Sequence, residues 1–380
     1  MAFGLVGTVV GGVWLLPARL ESAAVLLNLA GRPTNTGWAG VVLPDRRVAV
    51  TTRDVAVPTR DGAIDARLYE PQHRSGHTLI VFPGVHAGGL DEPRLVRFAR
   101  RLAETGTRVL SVPLPDLRRF RLTPRSTDMI EDATGWLAGQ RDLAPEGRVD
   151  LAGISFAGGL AMVAAGRPSL RDKLDRVVSF GGQADLPRVM RYLCTGELPG
   201  GGHRAPHDYG LAVVLLHSLT HLVPIEQQAE LDRAVVGFLS ASSIYESRPE
   251  EGERLLNEVR AAQSRMAEPA RGLLAAVLAR DVAALGPRLL PFVEDVAGNP
   301  ALSPARSMAS GLPTFLLHGE ADNVIPPSET PALAAYLESH GNRDVRFLLT
   351  PLVSHATMTG GASPVDALRL INFWTAMTRH

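Results

Sequence analysis

The sequence predicts an α/β protein with a mostly parallel central sheet flanked by helices and a large helical insertion late in the chain. Three observations carry this. Between residues 64 and 182, β-rich runs alternate with helix-period runs, the pattern of parallel strands joined by helical crossovers. A glycine-rich turn around Ser155 joins one of those strands to an Ala/Gly-rich helix. From Gly182 to Thr314 the alternation gives way to helical periodicity, and two further strands follow.

Met1 to Leu16 is uncharged and rich in Val, Leu and Gly, and a second apolar helix is expected over Ser22 to Ala30. The first run falls short of the ~20 apolar residues of a membrane span, and no positive residue precedes it as in a secretory signal. Three readings stay open: a helical hairpin packed on the protein, a membrane-surface anchor, or an atypical signal. A cytoplasmic or membrane-associated location is expected over secretion. Arg47–Val57 and Ile64–Tyr69 flank Asp61-Gly62, which reads as a hairpin. Strands are expected at 77–82, 108–112 and 149–152, with another after Asp172 ending at Gly181-Gly182, and helices at 93–105 and 127–140. In the insertion, helices are expected at 186–193, 209–222, 225–239, 250–267 and 271–284. A strand at 314–319, a helix at 331–340 and a strand at 345–349 complete the pattern. The expected division is a helical arm over 1–46, a core over 47–182 and 313–380, and an insertion over 183–312.

The 380 residues are 45% hydrophobic and carry a formal net charge of +0, which suits a substantial core and argues against a nucleic-acid partner. A single cysteine, Cys194, excludes an internal disulfide and a cysteine-based zinc site, and reads as a structural thiol. Lys173 is the only lysine, so almost all positive charge is arginine.

Gly153-Ile154-Ser155-Phe156-Ala157-Gly158-Gly159 has the form of a nucleophile elbow, with Ala157 where a glycine is usual. So tight a turn leaves room only for small residues beside the serine. Two later strand ends supply what a nucleophilic serine needs. Asp322 follows the strand at 314–319, and His355 follows the strand at 345–349. A histidine removes the serine proton, and an acid sets its tautomer and stabilises the imidazolium. Asp185, beyond the preceding strand, is a rival for the acid.

With Ser, Asp and His in this order at strand ends, the chain resembles the α/β-hydrolase-fold serine hydrolases of the esterase and lipase kind. The resemblance runs from about Val48 to the C-terminus, with a gap in the helical insertion, and rests on 153–158, on His318-Gly319-x-x-Asp322-x-x-Ile325-Pro326 and on His355. It implies an oxyanion-hole loop at Pro83-Gly84-Val85-His86-Ala87-Gly88-Gly89, with the backbone N–H groups of Val85 and Phe156 as donors, or that of His86 in place of Val85. It also implies that the insertion caps the site. A small-molecule ester is the expected substrate, with lactones or dienelactones, thioesters, peptides or acyl transfer as alternatives, and a non-catalytic membrane-tethered binder as the contrasting class. Esters are favoured over peptides because no gating domain of the prolyl-oligopeptidase kind precedes the core.

Leu117-Arg118-Arg119-Phe120-Arg121, with Arg125 beyond it, follows a strand and is placed at the carboxyl edge of the sheet, where ligands of open α/β sheets bind. Arg118 and Arg121 are candidates to clamp an anionic substrate group, a solvated rim being the plainer reading. His217 and His221, and His203 and His207, have i, i+4 spacing that suits a metal, yet no third ligand is in view, and ordinary buried or cap-facing histidines are the favoured reading. No metal and no cofactor are expected.

Overall fold

The computed structural model describes residues 16–29, 47–73, 77–207, 209–245, 247–354 and 363–379. Helix α1 (Leu16–Leu29) is followed by β1 (Val50–Thr59) and β2 (Gly62–Pro71), an antiparallel hairpin turning at Gly62, whose φ of +106° suits glycine. Then come β3 (Thr78–Phe82), α2 (Pro93–Ala103), β4 (Arg108–Ser111), α3 (Pro124–Gly139), β5 (Val149–Ile154), α4 (Phe156–Ala165) and β6 (Leu174–Phe180). Seven helices follow: α5 (Leu186–Thr195), α6 (Tyr209–Leu222), α7 (Ile225–Ile244), α8 (Pro249–Gln263), α9 (Ala270–Leu278), α10 (Val282–Leu289) and α11 (Val293–Ala297). The chain closes with β7 (Thr314–Gly319), α12 (Glu329–Ser339), β8 (Val345–Thr350) and α13 (Pro364–Arg379). The eight strands form one sheet in the order β1-β2-β4-β3-β5-β6-β7-β8. The pairings β1–β2 and β2–β4 are antiparallel and all others parallel.

Because strand side chains alternate between faces, neighbouring residues serve different cores. Leu151, Val177 and Leu316 join a cluster with α3, α4 and the helices between β6 and β7. Ala152, Val178, Phe315 and Leu317 join a second cluster on the other face. That face is covered by α1, α2 and α13. Helix α13 presents Leu370, Phe373, Trp374 and Met377 at the spacing of one helical stripe. Helix α1 packs on α2 and α13, and the hydroxyls of Ser22 and Thr375 bond across the seam at 2.8 Å. Of residues 1–46, only 16–29 are described, as this one helix against α2 and α13; the rest of the expected hairpin, 1–15 and 30–46, lies outside the described residues. No described helix is long and apolar enough to cross a membrane.

Several boundaries differ from the expectation for local reasons. Helix α3 begins at Pro124, not Thr127, because Thr123 caps it, accepting from the Ser126 N–H, and proline suits the first helical turn. Helix α12 begins at Glu329, two residues before Pro331, which then falls in its first turn. The expected helix over 271–284 is two helices. The chain reverses at Arg280 (φ +56°), and Asp281 caps the second by accepting from the Ala284 N–H. Helix α8 ends at Gln263, and α7 continues to Ile244.

The second core suggests a direct test. Trp374 is buried, its ring stacked 6.5 Å from Phe180. Trp374→Ala is expected to cost about 3–5 kcal/mol in a denaturant titration.

Candidate active site

Ser155 occupies the turn between β5 and α4 with φ +57° and ψ −135°, a left-handed conformation that costs a non-glycine residue roughly 1–3 kcal/mol. Its N–H donates to the Phe180 carbonyl of β6 at 2.7 Å, and its carbonyl accepts from the Gly158 N–H at 2.7 Å, so both sides of the turn are pinned. A Cβ on Gly153 would overlap the Ala157 carbonyl, and one on Gly158 would overlap the Ser179 hydroxyl. Ala157 itself is wholly buried with its methyl accommodated. The strict small positions are thus Gly153 and Gly158, and the usual glycine site tolerates alanine.

The 83–89 loop lies directly against this serine. A Cβ on Gly84 would fall 2.7 Å from Ser155 Cβ and 3.2 Å from its Oγ, so only glycine lets the backbone come this near. Val85, the next residue, is partly buried against the core. Phe156 is the first residue of α4, so its N–H has no carbonyl four residues back within the helix and is part of the positive end of the helix dipole. His86 does not act as a loose side chain. Its Nδ1 accepts from the Gly88 N–H at 3.0 Å and its Nε2 donates to the Ser243 carbonyl of α7 at 3.2 Å.

Asp322 is buried in the turn after β7. Its Oδ1 accepts from the N–H groups of Val324 (2.8 Å) and Ile325 (3.0 Å). Its Oδ2 lies 3.2 Å from Nε2 of His318. That nitrogen must donate, because it also bonds the Ile325 carbonyl at 3.0 Å; the other, Nδ1, shares a 2.7 Å hydrogen bond with the Thr330 hydroxyl. His318 stands in the motif that marks the acid, but its service to Asp322 had no sequence signal beyond that. His355 lies outside the described residues. Asp185 is engaged elsewhere: it caps α5 by accepting from the Arg188 N–H and pairs with Arg306 at 2.6 Å.

The arginine loop joins the core to the helices. Arg121 donates to the Leu216 carbonyl of α6 at 2.6 Å and pairs with Asp232 of α7, so this candidate clamp is committed to the protein's own groups. Arg118 is exposed and lies against the 83–89 loop, where a Cβ on Gly89 would come within 2.8 Å of its Nε. His217 donates from Nδ1 to the Val213 carbonyl (2.8 Å) and accepts at Nε2 from the Leu122 N–H (2.8 Å). Its partner in spacing, His221, stacks on Phe292 at 4.5 Å. Among the described residues no cluster of side chains suits a metal. Burial pushes the Cys194 thiol up to about 12, so it stays protonated.

The order and pairing of the strands, with a serine at the sharp turn after β5, define an α/β-hydrolase fold. The chain is similar to a rice cell wall degrading esterase from Xanthomonas oryzae in a ligand-bound form, with a TM-score of 0.52 and 16% identity, covering 94% of this chain and 93% of that one. It is also similar to an esterase of Pyrobaculum calidifontis (TM-score 0.48, 17% identity, 96% and 93% covered). A third is an acylaminoacyl peptidase of Pyrococcus horikoshii (TM-score 0.47, 12% identity), where 90% of this chain covers 43% of the peptidase. No family model and no curated protein matches the sequence.

His86 and His217 each accept a backbone N–H, which requires the neutral ring, and burial holds both below the ordinary 6.5. Below that pH the unfolded chain binds protons that the folded one refuses, so stability should fall, by up to ~1.4 kcal/mol per pH unit for each ring. Denaturant titrations between pH 7.5 and 5.5 check this. His217→Gln should be less stable at pH 7.5 and show a shallower fall.

Proposed function

We propose that the chain is a serine hydrolase that cleaves carboxylic esters through an acyl-enzyme on Ser155. The observation that carries the reading is the strained Ser155 backbone at the β5–α4 turn with Gly84 pressed against it. A left-handed serine is costly and persists only where its surroundings over-determine it, as at sites of function.

In this mechanism Ser155 Oγ attacks the ester carbonyl while His355 takes its proton. The Val85 and Phe156 amides receive the negative charge that develops on the carbonyl oxygen. His355 returns the proton to the departing alcohol. A water then gives a proton to His355 and attacks the acyl carbon, and the carboxylic acid leaves as Ser155 recovers its proton. Asp322 holds the imidazole in the required tautomer. It suits this role better than Asp185, whose carboxylate is bound to Arg306 and the start of α5. An ester substrate is also in keeping with the esterases among the structures of similar fold.

The proposed division is an arm over 1–46, a core over 47–182 and 313–380, and a helical cap over 183–312. Its support lies in the bonds that reach from these helices to the 83–89 loop, which lies against Ser155, and to the arginine loop: His86 to Ser243, Arg121 to Leu216 and Asp232, and Leu122 to His217. A cap excludes water and so strengthens the oxyanion contacts.

A fluorophosphonate probe should label the wild-type protein and not Ser155→Ala; no Ser155-dependent labelling would overturn the reading. A panel of p-nitrophenyl esters of rising chain length then defines the acyl preference. Asp322→Asn is expected to lower kcat by about 10⁴, as loss of the acid does in such triads. Asp185→Asn should lower stability and leave kcat within about threefold, which assigns the acid to Asp322 by its own loss.

A further inference from the structure

The turn that carries Asp322 is held on two sides. From the core, the Glu320 N–H donates to the Thr350 carbonyl at 3.0 Å, and the Asp322 N–H to the Gly319 carbonyl at 3.2 Å. The opposite side is met by the segment between α5 and α6. Arg204 donates from one guanidinium nitrogen to the carbonyls of Glu320 and Asp322, both at 3.0 Å. The next carbonyl, that of Asn323, accepts from the His207 N–H at 2.7 Å and from the Tyr192 hydroxyl at 3.2 Å. Three carbonyls of one turn thus each receive a donor from the segment between α5 and α6, and Tyr192 of α5 adds a fourth bond.

That stretch is itself braced. The Arg204 N–H donates to the Gly196 carbonyl at 2.9 Å, and the Gly196 N–H to the Tyr192 carbonyl at 2.7 Å. Gly196 has φ +74°, and a Cβ there would lie 2.5 Å from the His203 ring and 3.0 Å from the Arg204 carbonyl, so the close approach needs glycine. The guanidinium is therefore presented from a backbone tied to the end of α5. Its charge strengthens both bonds relative to a neutral donor.

We propose that Arg204 is a positioning residue for the acid: it sets the 320–323 turn so that Asp322 Oδ1 meets the Val324 and Ile325 amides and Oδ2 faces His318. The inference rests on the reading of Asp322 as the acid of a serine hydrolase. It adds that the helical region supplies part of the catalytic geometry in addition to covering it. A small displacement of the acid tilts the imidazole, and misplacement by about 1 Å can cost 10²-fold in rate.

The test compares wild type, Arg204→Met and Arg204→Lys by ester kinetics and by amide hydrogen exchange. Arg191→Met serves as control, since Arg191 pairs with Glu294 on the surface. For Arg204→Met, p-nitrophenyl butyrate turnover should fall about 10- to 100-fold in kcat with KM within about threefold. Exchange at Val324 and Ile325 should quicken at least about tenfold while β5 keeps its protection, and lysine should restore part of both effects. Unchanged exchange at 324–325 overturns the proposal whether or not the protein is an esterase. Faster exchange throughout the molecule, or faster local exchange with wild-type kcat, overturns it too. Absence of Ser155-dependent turnover in the wild type instead overturns the hydrolase reading, and exchange alone then decides whether Arg204 sets the turn.

Discussion

The left-handed backbone of Ser155 is the constraint on which the site depends. The strand β5 turns into α4 at this one residue, which sits at φ +57°, outside the regions that ordinary side chains favour. The cost is met by neighbours on several sides: the Phe180 carbonyl accepts from the serine N–H, the Gly158 N–H donates to the serine carbonyl, and Gly84 closes against its side chain. Each neighbour belongs to a different element: β6, α4 and the loop after β3. β6 must lie beside β5 for the first contact, and β3 must lie on the other side to deliver Gly84. The sheet order and the serine's conformation are therefore one requirement.

The same requirement explains what the sequence could reveal. Steric demands at the elbow are local: Gly153 and Gly158 stand within three residues of the serine, so the motif is visible without the fold. The strand–helix alternation is equally local, and it yields the parallel sheet. The ends of elements were less legible where a cap outweighs periodicity. Thr123-Pro124 starts α3 earlier than its apolar stripe does, and Arg280-Asp281 breaks a run whose Ala/Leu pattern continues unbroken. Both signals were present as residue types, but their weight depends on a backbone conformation that periodicity does not report.

Contacts between distant segments were not legible. Arg121 stands in an arginine-rich loop at the sheet edge, which suggested a clamp for a substrate anion. Its partners, Leu216 and Asp232, lie far along the chain, and nothing near Arg121 foretells them. His217 has the spacing of a metal ligand, yet its second nitrogen meets the Leu122 amide of that same loop. His318 lay in plain view within the acid's motif, and its use depends on Thr330 and Ile325 folding back over it. In each case the residue type was visible and its partner was not, because a donor or acceptor chooses its partner in space.

The neutral histidines show why this side chain recurs at these junctions. A loop that presents a backbone N–H and a helix that presents a backbone carbonyl require a bridge that accepts at one end and donates at the other. Lysine and arginine only donate, and carboxylates only accept, so each would leave one buried backbone group unpaired. Neutral imidazole does both across a rigid ring. His86 accepts at Nδ1 and donates at Nε2, whereas His217 does the reverse, so the surroundings select opposite tautomers. A bridge of this kind works only while the ring stays uncharged. Burial depresses the basicity of both rings and thereby preserves the connection, and the junctions of the 83–89 loop and of the arginine loop with the helices share one chemical condition.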